Sequence, residues 1–223
     1  NVTGFLNVLE CCRKYPVAHR VYASSSSIYG RNTDSPFRTT DRTEKPSSLY
    51  AVTKKCDELM AETYRHLFKI NSTGLRFFTV YGPWGRPDMA PCLFAKAIMT
   101  GKPIKVFNNG NMRRDFTYID DIVNGVLLVL EQGMRRPVAE NRVYNIGRGK
   151  PVDLMEFISI LEDALGKKAE KEMLPMQPGD VTVTWADTEA LAKDVGYRPS
   201  VDLKDGIREF AKWYRDFDAC EKI

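Results

Sequence analysis

The sequence predicts an α/β fold built on a parallel sheet, and three observations predict it. Short β-rich runs alternate with amphipathic helical stretches along the 223 residues, the pattern of strands joined by crossover helices. One such run, Arg20 to Ala23, passes straight into four serines, Ser24 to Ser27, and a closing Gly30. In open α/β sheets ligands bind outside the carboxyl ends of the strands, so hydroxyls placed there face a ligand. Third, Tyr50 and Lys54 in Ser47-Ser48-Leu49-Tyr50-Ala51-Val52-Thr53-Lys54 share one helical face, with Cβ atoms about 6 Å apart. An ammonium beside a phenol favours phenolate and draws the tyrosine below its ordinary pKa of about 10. Such a tyrosine can exchange a proton with a hydroxyl near neutral pH. Taken alone, the same spacing also suits a plain surface helix.

The elements follow in order. A helix is expected over about 1–14 and a strand over about 19–25, then a loop over 26–46. Pro46 stops what precedes, Ser47 and Ser48 are N-cap candidates, and a helix over 48–69 carries an apolar stripe of Leu49, Val52, Cys56, Leu59, Met60 and Tyr64. A strand is expected at about 73–79, a helix at 89–100 and a short strand at Ile104 to Phe107. Asn108-Asn109-Gly110-Asn111 is a turn. Phe116 to Ile119 is a strand, Asp120 or Asp121 caps a helix to about 132, and Arg142 to Ile146 is a strand. Asp153 caps a helix that ends at Gly166, and Ala186 to Val195 and Leu203 to Tyr214 are the last helices. Trp84, Trp185, Trp213 and most of the large aliphatics read as core or rim packing.

Composition narrows the classes. Hydrophobic residues at 43% and charged residues at 28% are those of a globular protein. A net charge of +4 with interspersed signs does not imply nucleic acid, and it suits anionic ligands. The five cysteines lack Cys-x-x-Cys spacing, so free thiols in a reducing compartment, and a cytoplasmic location, are expected. His19 and His66 are too few and too separated for a histidine metal site and read as surface residues. No apolar run reaches the roughly 20 residues of a membrane span.

Several motifs in fixed order carry a resemblance. They are Ser24-Ser25-Ser26 with Tyr29-Gly30, Tyr50 with Lys54, Leu75 to Pro83, Arg113 to Asp121, Tyr144-Asn145-Ile146-Gly147, and Gln177-Pro178-Gly179-Asp180. Together they resemble the extended short-chain dehydrogenase/reductase family of nucleotide-sugar epimerases and dehydratases. Trp84 to Ala90 and Met176 to Val181 look most like UDP-glucuronate 4-epimerases. The chain shows no glycine-rich phosphate-binding turn, and Asn1 to Leu9 is similar to that family's Asn-Val-x-Gly helix, which follows the fourth strand. The expectation is a partial Rossmann half at 1–80, lacking on the order of 100 residues, interleaved with a nucleotide-sugar lobe at 81–223.

The resemblance implies NAD as cofactor, held by Asn1, Ser24, Tyr50 and Lys54, with Ser25, Tyr50 and Lys54 catalytic. It implies a UDP-sugar substrate. Arg114 meets the diphosphate through its planar fork, or else is a surface arginine paired with Asp115. Asp180 bonds ribose hydroxyls, or only forms a turn. Phe107 and Lys105 lie beside uracil, although Phe107 also reads as core. Ser26, Ser27, Thr79 and Arg86 can clamp a sugar C6 carboxylate, unless Arg86 is simply exposed. Asp88 lies near the phosphates or caps the helix that follows. The implied activity is C4 epimerisation of UDP-glucuronate. A UDP-sugar- or protein-binding fragment without turnover, and a related decarboxylase or dehydratase, stay open; Ser26-Ser27 in place of Asp-Glu disfavours the dehydratase. The family commonly dimerises through a four-helix bundle, to which the helices near 1–14 and around Tyr50 would contribute.

Overall fold

The computed structural model describes residues 1–135, 139–177 and 180–220. Its first layer is a parallel sheet of β1 (Arg20–Ser25), β2 (Ser72–Phe77) and β7 (Asn141–Ile146), in the order β1-β2-β7. Arg20 pairs with Ser72 and Ser72 with Asn141, so Ser25, Phe77 and Ile146 end level with one another. All loops leaving the carboxyl ends therefore open on the same side. Helices α1 (Val2–Lys14) and α2 (Leu49–Phe68) pack together, and α2 lies against β1 and β2. Helix α4 (Ile119–Met134) also contacts β1 and β2.

The rest of the chain builds a second body of short strands and helices. Strands β3 (Thr79–Tyr81) and β6 (Phe116–Tyr118) pair in parallel, as do β4 (Ile104–Val106) and β9 (Lys171–Met173). Strand β5 (Arg113–Arg114) sits between β8 (Val152–Asp153) and β10 (Val183–Thr184). Helices α3 (Ala90–Thr100), α5 (Leu154–Leu165) and α7 (Leu203–Cys220) enclose the largest core, in which Ile104, Phe157, Leu161 and Phe210 are fully buried. Helix α6 (Glu189–Val195) packs on β7. Because β7 completes a sheet begun by β1 and β2, the two bodies interleave in sequence.

Several expectations need correction. The expected strand at 73–79 breaks at Phe78. That residue turns into a cluster with Tyr29 and Phe37, and the chain passes from β2 to β3 in a different sheet. The loop at 26–46 begins with a 3-10 turn, Ser26–Tyr29. Gly30 closes it at φ 57°, and a Cβ there would lie 2.0 Å from the Lys45 carbonyl oxygen, so only glycine fits. Neither Asp120 nor Asp121 caps α4; Asp121 accepts the Ser200 and Val201 amides instead. Asp153 holds the N-cap position of α5 without a side-chain bond to the helix. Ala186 lies outside α6, bridged to Phe37. His19 is buried, close against Gly133, rather than at the surface. Leu127 is exposed. Strands β5, β8, β9 and β10 span two or three residues, too few for an alternation to show in sequence.

Helix α2 turns polar groups inward. Of its apolar stripe, Leu49, Val52 and Leu59 are exposed and Cys56, Met60 and Tyr64 half-buried, while Asp57 and Glu58 are buried. The inward face is held by polar bonds. Glu58 accepts two bonds from Arg76, Nε and Nη2 each at 2.9 Å, and one from the Ser24 hydroxyl at 2.7 Å. Arg76 Nη1 also donates to the Tyr29 hydroxyl at 3.0 Å. Tyr29 donates in turn to Asn145 Oδ1 at 2.6 Å, and Asn145 donates to the Phe37 carbonyl at 2.7 Å. Burial opposes the charge on Arg76, but Glu58 and Tyr29 more than compensate and hold its pKa above the ordinary value.

A second buried acid ties the two bodies together. Asp115 has no exposed surface and accepts the amides of Arg148, Gly149 and Ala186 at 2.8, 3.0 and 3.0 Å, and the Thr117 hydroxyl at 3.2 Å. Burial pushes its pKa up, and those four bonds pull against the shift.

Among the described residues no helix is long and apolar enough to cross a membrane, and no group of three His, Cys, Asp or Glu could hold a metal ion.

Two stability predictions follow from these acids. Glu58→Ala, which strands the Arg76 charge, is expected to cost about 3–5 kcal/mol in urea unfolding, and adding Arg76→Met to recover part of it. A loss under about 1 kcal/mol for the single variant sinks the anchoring role. Asp115→Asn puts an amide donor against backbone donors and is expected to lower stability by about 1–3 kcal/mol in the same assay; an unchanged midpoint contradicts it.

Candidate functional site

The carboxyl ends of β1 and β2 open into a cavity of about 590 Å³. One wall is Ser24 to Ser27 with Tyr50 and Lys54; the other is the loop Gly82 to Arg86. The first wall is fixed by capping. Ser25 precedes the 3-10 turn in extended backbone, its Oγ accepting the Ser27 amide at 3.1 Å and donating to Ser27 Oγ at 3.1 Å. Ser48 caps α2, accepting the Ala51 amide at 3.1 Å, which sets Tyr50 in the first turn and Lys54 one turn later. Tyr50 is 46% exposed at the cavity edge. Lys54 reaches inward and donates to the Ala23 carbonyl at 2.9 Å, with Asp57 Oδ2 at 3.4 Å. Burial raises the Asp57 carboxyl above the ordinary value, against the pull of Lys54.

The opposite wall turns on Gly82, at φ 147°, where a Cβ would lie 2.4 Å from the Ile119 side chain. The turn carries Arg86 to the cavity mouth. Arg86 donates to Asp88 through Nε at 3.0 Å and closely through Nη2. This bond raises the pKa of Arg86 and lowers that of Asp88, and both side chains stay largely exposed. Asp88 therefore does not cap α3, whose N-cap is Met89.

A second cavity of about 460 Å³ shares Ser26, Ser27 and Thr79 with the first and adds Arg114, Gln177 and Asp180. Arg114 pairs with Asp180, Nη2 to Oδ1 at 2.8 Å, not with Asp115. Burial lowers the Arg114 pKa, and Asp180 works the other way. Pro178 and Gly179, expected to form the turn before Asp180, lie outside the described residues. A third, largely apolar cavity of about 530 Å³ lies between α3 and β4 and is lined by Asp88, Lys105 and Phe107.

The expected residues thus gather in three groups. Ser24, Ser25, Ser26, Ser27, Tyr50, Lys54, Thr79 and Arg86 surround the first cavity. Arg114 and Asp180 stand in the second, and Asp88, Lys105 and Phe107 in the third. Two of them sit differently from the rest. Asn1 does not line the cavity and donates to the Thr53 hydroxyl at 3.0 Å. Ser24 gives its hydroxyl to Glu58.

Sequence reasoning missed Asp57, Glu58, Arg76 and Asp115, which support the walls. A signal existed for two of them. Arg76 interrupts an apolar strand between Leu75 and Phe77, and Glu58 lies four residues after Lys54, on the same helical face. A charge inside a buried strand requires a buried partner.

In chemical terms, a phenol and a serine hydroxyl face a common space with an ammonium beside it, the arrangement of a proton relay to a bound hydroxyl.

Residues 1–147 match the NAD dependent epimerase/dehydratase family. The chain is 54% identical to an uncharacterized 37.6 kDa protein of Escherichia coli O111:H-, over 97% of this chain and 69% of that protein. It is 46% identical to UDP-glucuronate 4-epimerase 4 of Arabidopsis thaliana, over 100% of this chain and 54% of that one. Among solved structures, UDP-glucuronic acid 4-epimerase of Bacillus cereus, in complex with UDP-glucuronic acid and NAD, superposes with a TM-score of 0.88 at 34% identity. That superposition covers 97% of this chain and 67% of the other. The chain thus spans between about half and about two thirds of the length of these relatives. On the strength of both the sequence match and the shared fold, the chain belongs to the NAD dependent epimerase/dehydratase family.

Proposed function

We propose that this chain carries the catalytic and sugar-binding part of an epimerase that inverts C4 of a UDP-hexuronic acid. The reaction is UDP-glucuronate to UDP-galacturonate through a 4-keto intermediate. One observation carries the reading: Ser25, Tyr50 and Lys54 share a single cavity with Ser26, Ser27, Thr79 and Arg86. Proton-transfer groups and a donor cluster suited to a carboxylate meet around space for one sugar. The names of the Arabidopsis and Bacillus relatives support the same substrate.

Tyr50, assisted by Ser25, takes the C4 hydroxyl proton as C4 is oxidised and returns a proton to O4 when C4 is reduced. Lys54 places a positive charge on the same cavity wall as Tyr50. Arg86, with Thr79 and the two serines, holds the C6 carboxylate, keeping C4 in register and discouraging loss of CO2 from the keto acid. Arg114 meets the diphosphate, Asp180 the ribose, and Lys105 and Phe107 the uracil.

The residues present fit the nicotinamide half of NAD. The cavity lies at the carboxyl ends of parallel strands, and Lys54 already bonds a carbonyl at its edge. Ser24, Tyr50 and Lys54 would hold the nicotinamide half, with Asn1, at the start of α1, bonded to Thr53 in the first turns of α2. Bound there, NAD supplies hydride acceptance from C4 and hydride return to it.

Residues 1–80 are assigned to the cofactor-binding half and 81–223 to the sugar-binding lobe, with β7 crossing back. The exposed Leu6 of α1 and Leu49, Val52 and Leu59 of α2 support a homodimer through these helices. A second reading is a chain that binds UDP-sugars without turnover. It is favoured by the second cavity, where Arg114 and Asp180 stand apart from Tyr50 and Lys54.

Incubation with NAD and UDP-glucuronate, followed by NMR of the sugar, tests the reading. Tyr50→Phe is expected to lower turnover by about 10²-fold or more while UDP binding persists. A wild-type rate in that variant removes Tyr50 from its role. Arg86→Ala is expected to weaken UDP-glucuronate binding by about tenfold, measured calorimetrically, with little effect on UDP. Equal weakening of both ligands contradicts the carboxylate assignment. UDP binding without turnover in the wild-type chain favours the second reading.

A further inference from the structure

The Gly82–Asp88 loop has an unusual anchor. Trp84 has φ 60°, a left-handed conformation that a bulky side chain rarely adopts. Its ring is also 78% exposed, so burial does not explain the strain. Strained backbone persists only where surrounding contacts determine it. Here the contacts come from α7. The Trp84 ring lies 5.6 Å from Trp213 and 6.1 Å from Phe217, centroid to centroid. Trp213 and Phe217, one helical turn apart, stack on each other at 5.3 Å. Helix α7 is itself immobilised, because Ile207 and Phe210 on its inner side are fully buried in the largest core.

Three of the loop's bonds are local: Gly85 amide to Gly82 carbonyl, Met89 amide to Arg86 carbonyl, and Arg86 to Asp88. One reaches α3, from the Cys92 thiol to the Gly85 carbonyl at 3.7 Å. Among the described residues, no ring other than those of α7 packs on the Trp84 ring. The Trp84 contacts join it to the core.

We propose that Trp213 and Phe217 of α7 are positioning residues that, through Trp84, hold Arg86 at the cavity mouth and so set the preference for a charged over a neutral sugar C6. The inference rests on the carboxylate role given to Arg86 above. Trp213 and Phe217 do not line the cavity, so any effect they have on ligand choice passes through the loop.

The test uses calorimetric titration of the 223-residue chain with UDP-glucuronate, UDP-glucose and UDP. Four variants are compared: Trp213→Ala, Trp213→Phe, Trp84→Gly and the double Trp84→Gly/Trp213→Ala. Trp84→Gly tolerates the left-handed backbone and leaves the core of α7 intact, but it also removes a ring that lines the cavity. Trp213→Ala leaves the cavity wall in place, so the inference needs the fall in both. In both Trp213→Ala and Trp84→Gly the affinity ratio of UDP-glucuronate over UDP-glucose is expected to fall about tenfold, the scale of one misplaced charge-assisted contact. UDP affinity is expected to stay within about twofold of wild type. Trp213→Phe should recover most of the ratio, and the double variant should lose no more than either single one. An unchanged ratio in Trp84→Gly or in Trp213→Ala overturns the inference. So does a parallel loss of UDP affinity, which marks a general structural defect. A wild-type chain that binds UDP but shows no preference for UDP-glucuronate overturns the carboxylate reading itself, and this inference with it.

Discussion

The Arg76–Glu58 pair holds the site together. Two charges lie under a helix that leaves Leu49, Val52 and Leu59 exposed, an arrangement that hydrophobic burial alone does not set. The bidentate contact fixes both the rotation and the height of the helix over β2. Glu58 then takes the Ser24 hydroxyl, and Arg76 reaches Tyr29 at the end of the serine turn. One ion pair thus places the helix of Tyr50 and Lys54 relative to the serines it works beside. Its desolvation is repaid by filling most of the polar valences, the condition under which a buried pair is tolerable.

Asp115 performs the corresponding task for the other wall. A two-residue strand, β5, cannot hold its place through ladder bonds alone. Its neighbour Asp115 gathers three backbone amides from the segments after β7 and β10. That draws Arg114 and the stretch around Asp180 to the edge of the β1–β2–β7 sheet, where the second cavity forms. The cavities are thus built at a seam between two bodies, and both sides of the seam are set by buried carboxylates.

Much of this was legible in the sequence. The serine run after a strand and the Tyr50–Lys54 spacing picked out residues that line one cavity, and the long helices fell where periodicity put them, except that α7 runs on past Tyr214 to Cys220. Capping made Ser48 readable, because N-cap chemistry is local. Two of the missed features are non-local. The inward face of α2 carries Glu58, bonded to Arg76 eighteen residues away, which an apolar stripe does not reveal. The break at Phe78 depended on Tyr29 and Phe37 waiting to receive it. Asp88 was read as a cap because it precedes α3, but Arg86 lies closer and takes it. Competing partners override local propensity in each case, distant in sequence for Glu58 and Phe78 and two residues away for Asp88.

The register of the parallel sheet has a kinetic consequence. Arg20 meets Ser72, and Ser72 meets Asn141, so neither strand pair can form from a local hairpin. Each requires closing a long loop before any ladder bond rewards it, and topologies of this kind fold slowly. Ser25 and Tyr50 lie within the first of these loops. The cavity wall they share does not exist until the sheet has closed around it, so the site is among the last features the chain acquires as it folds.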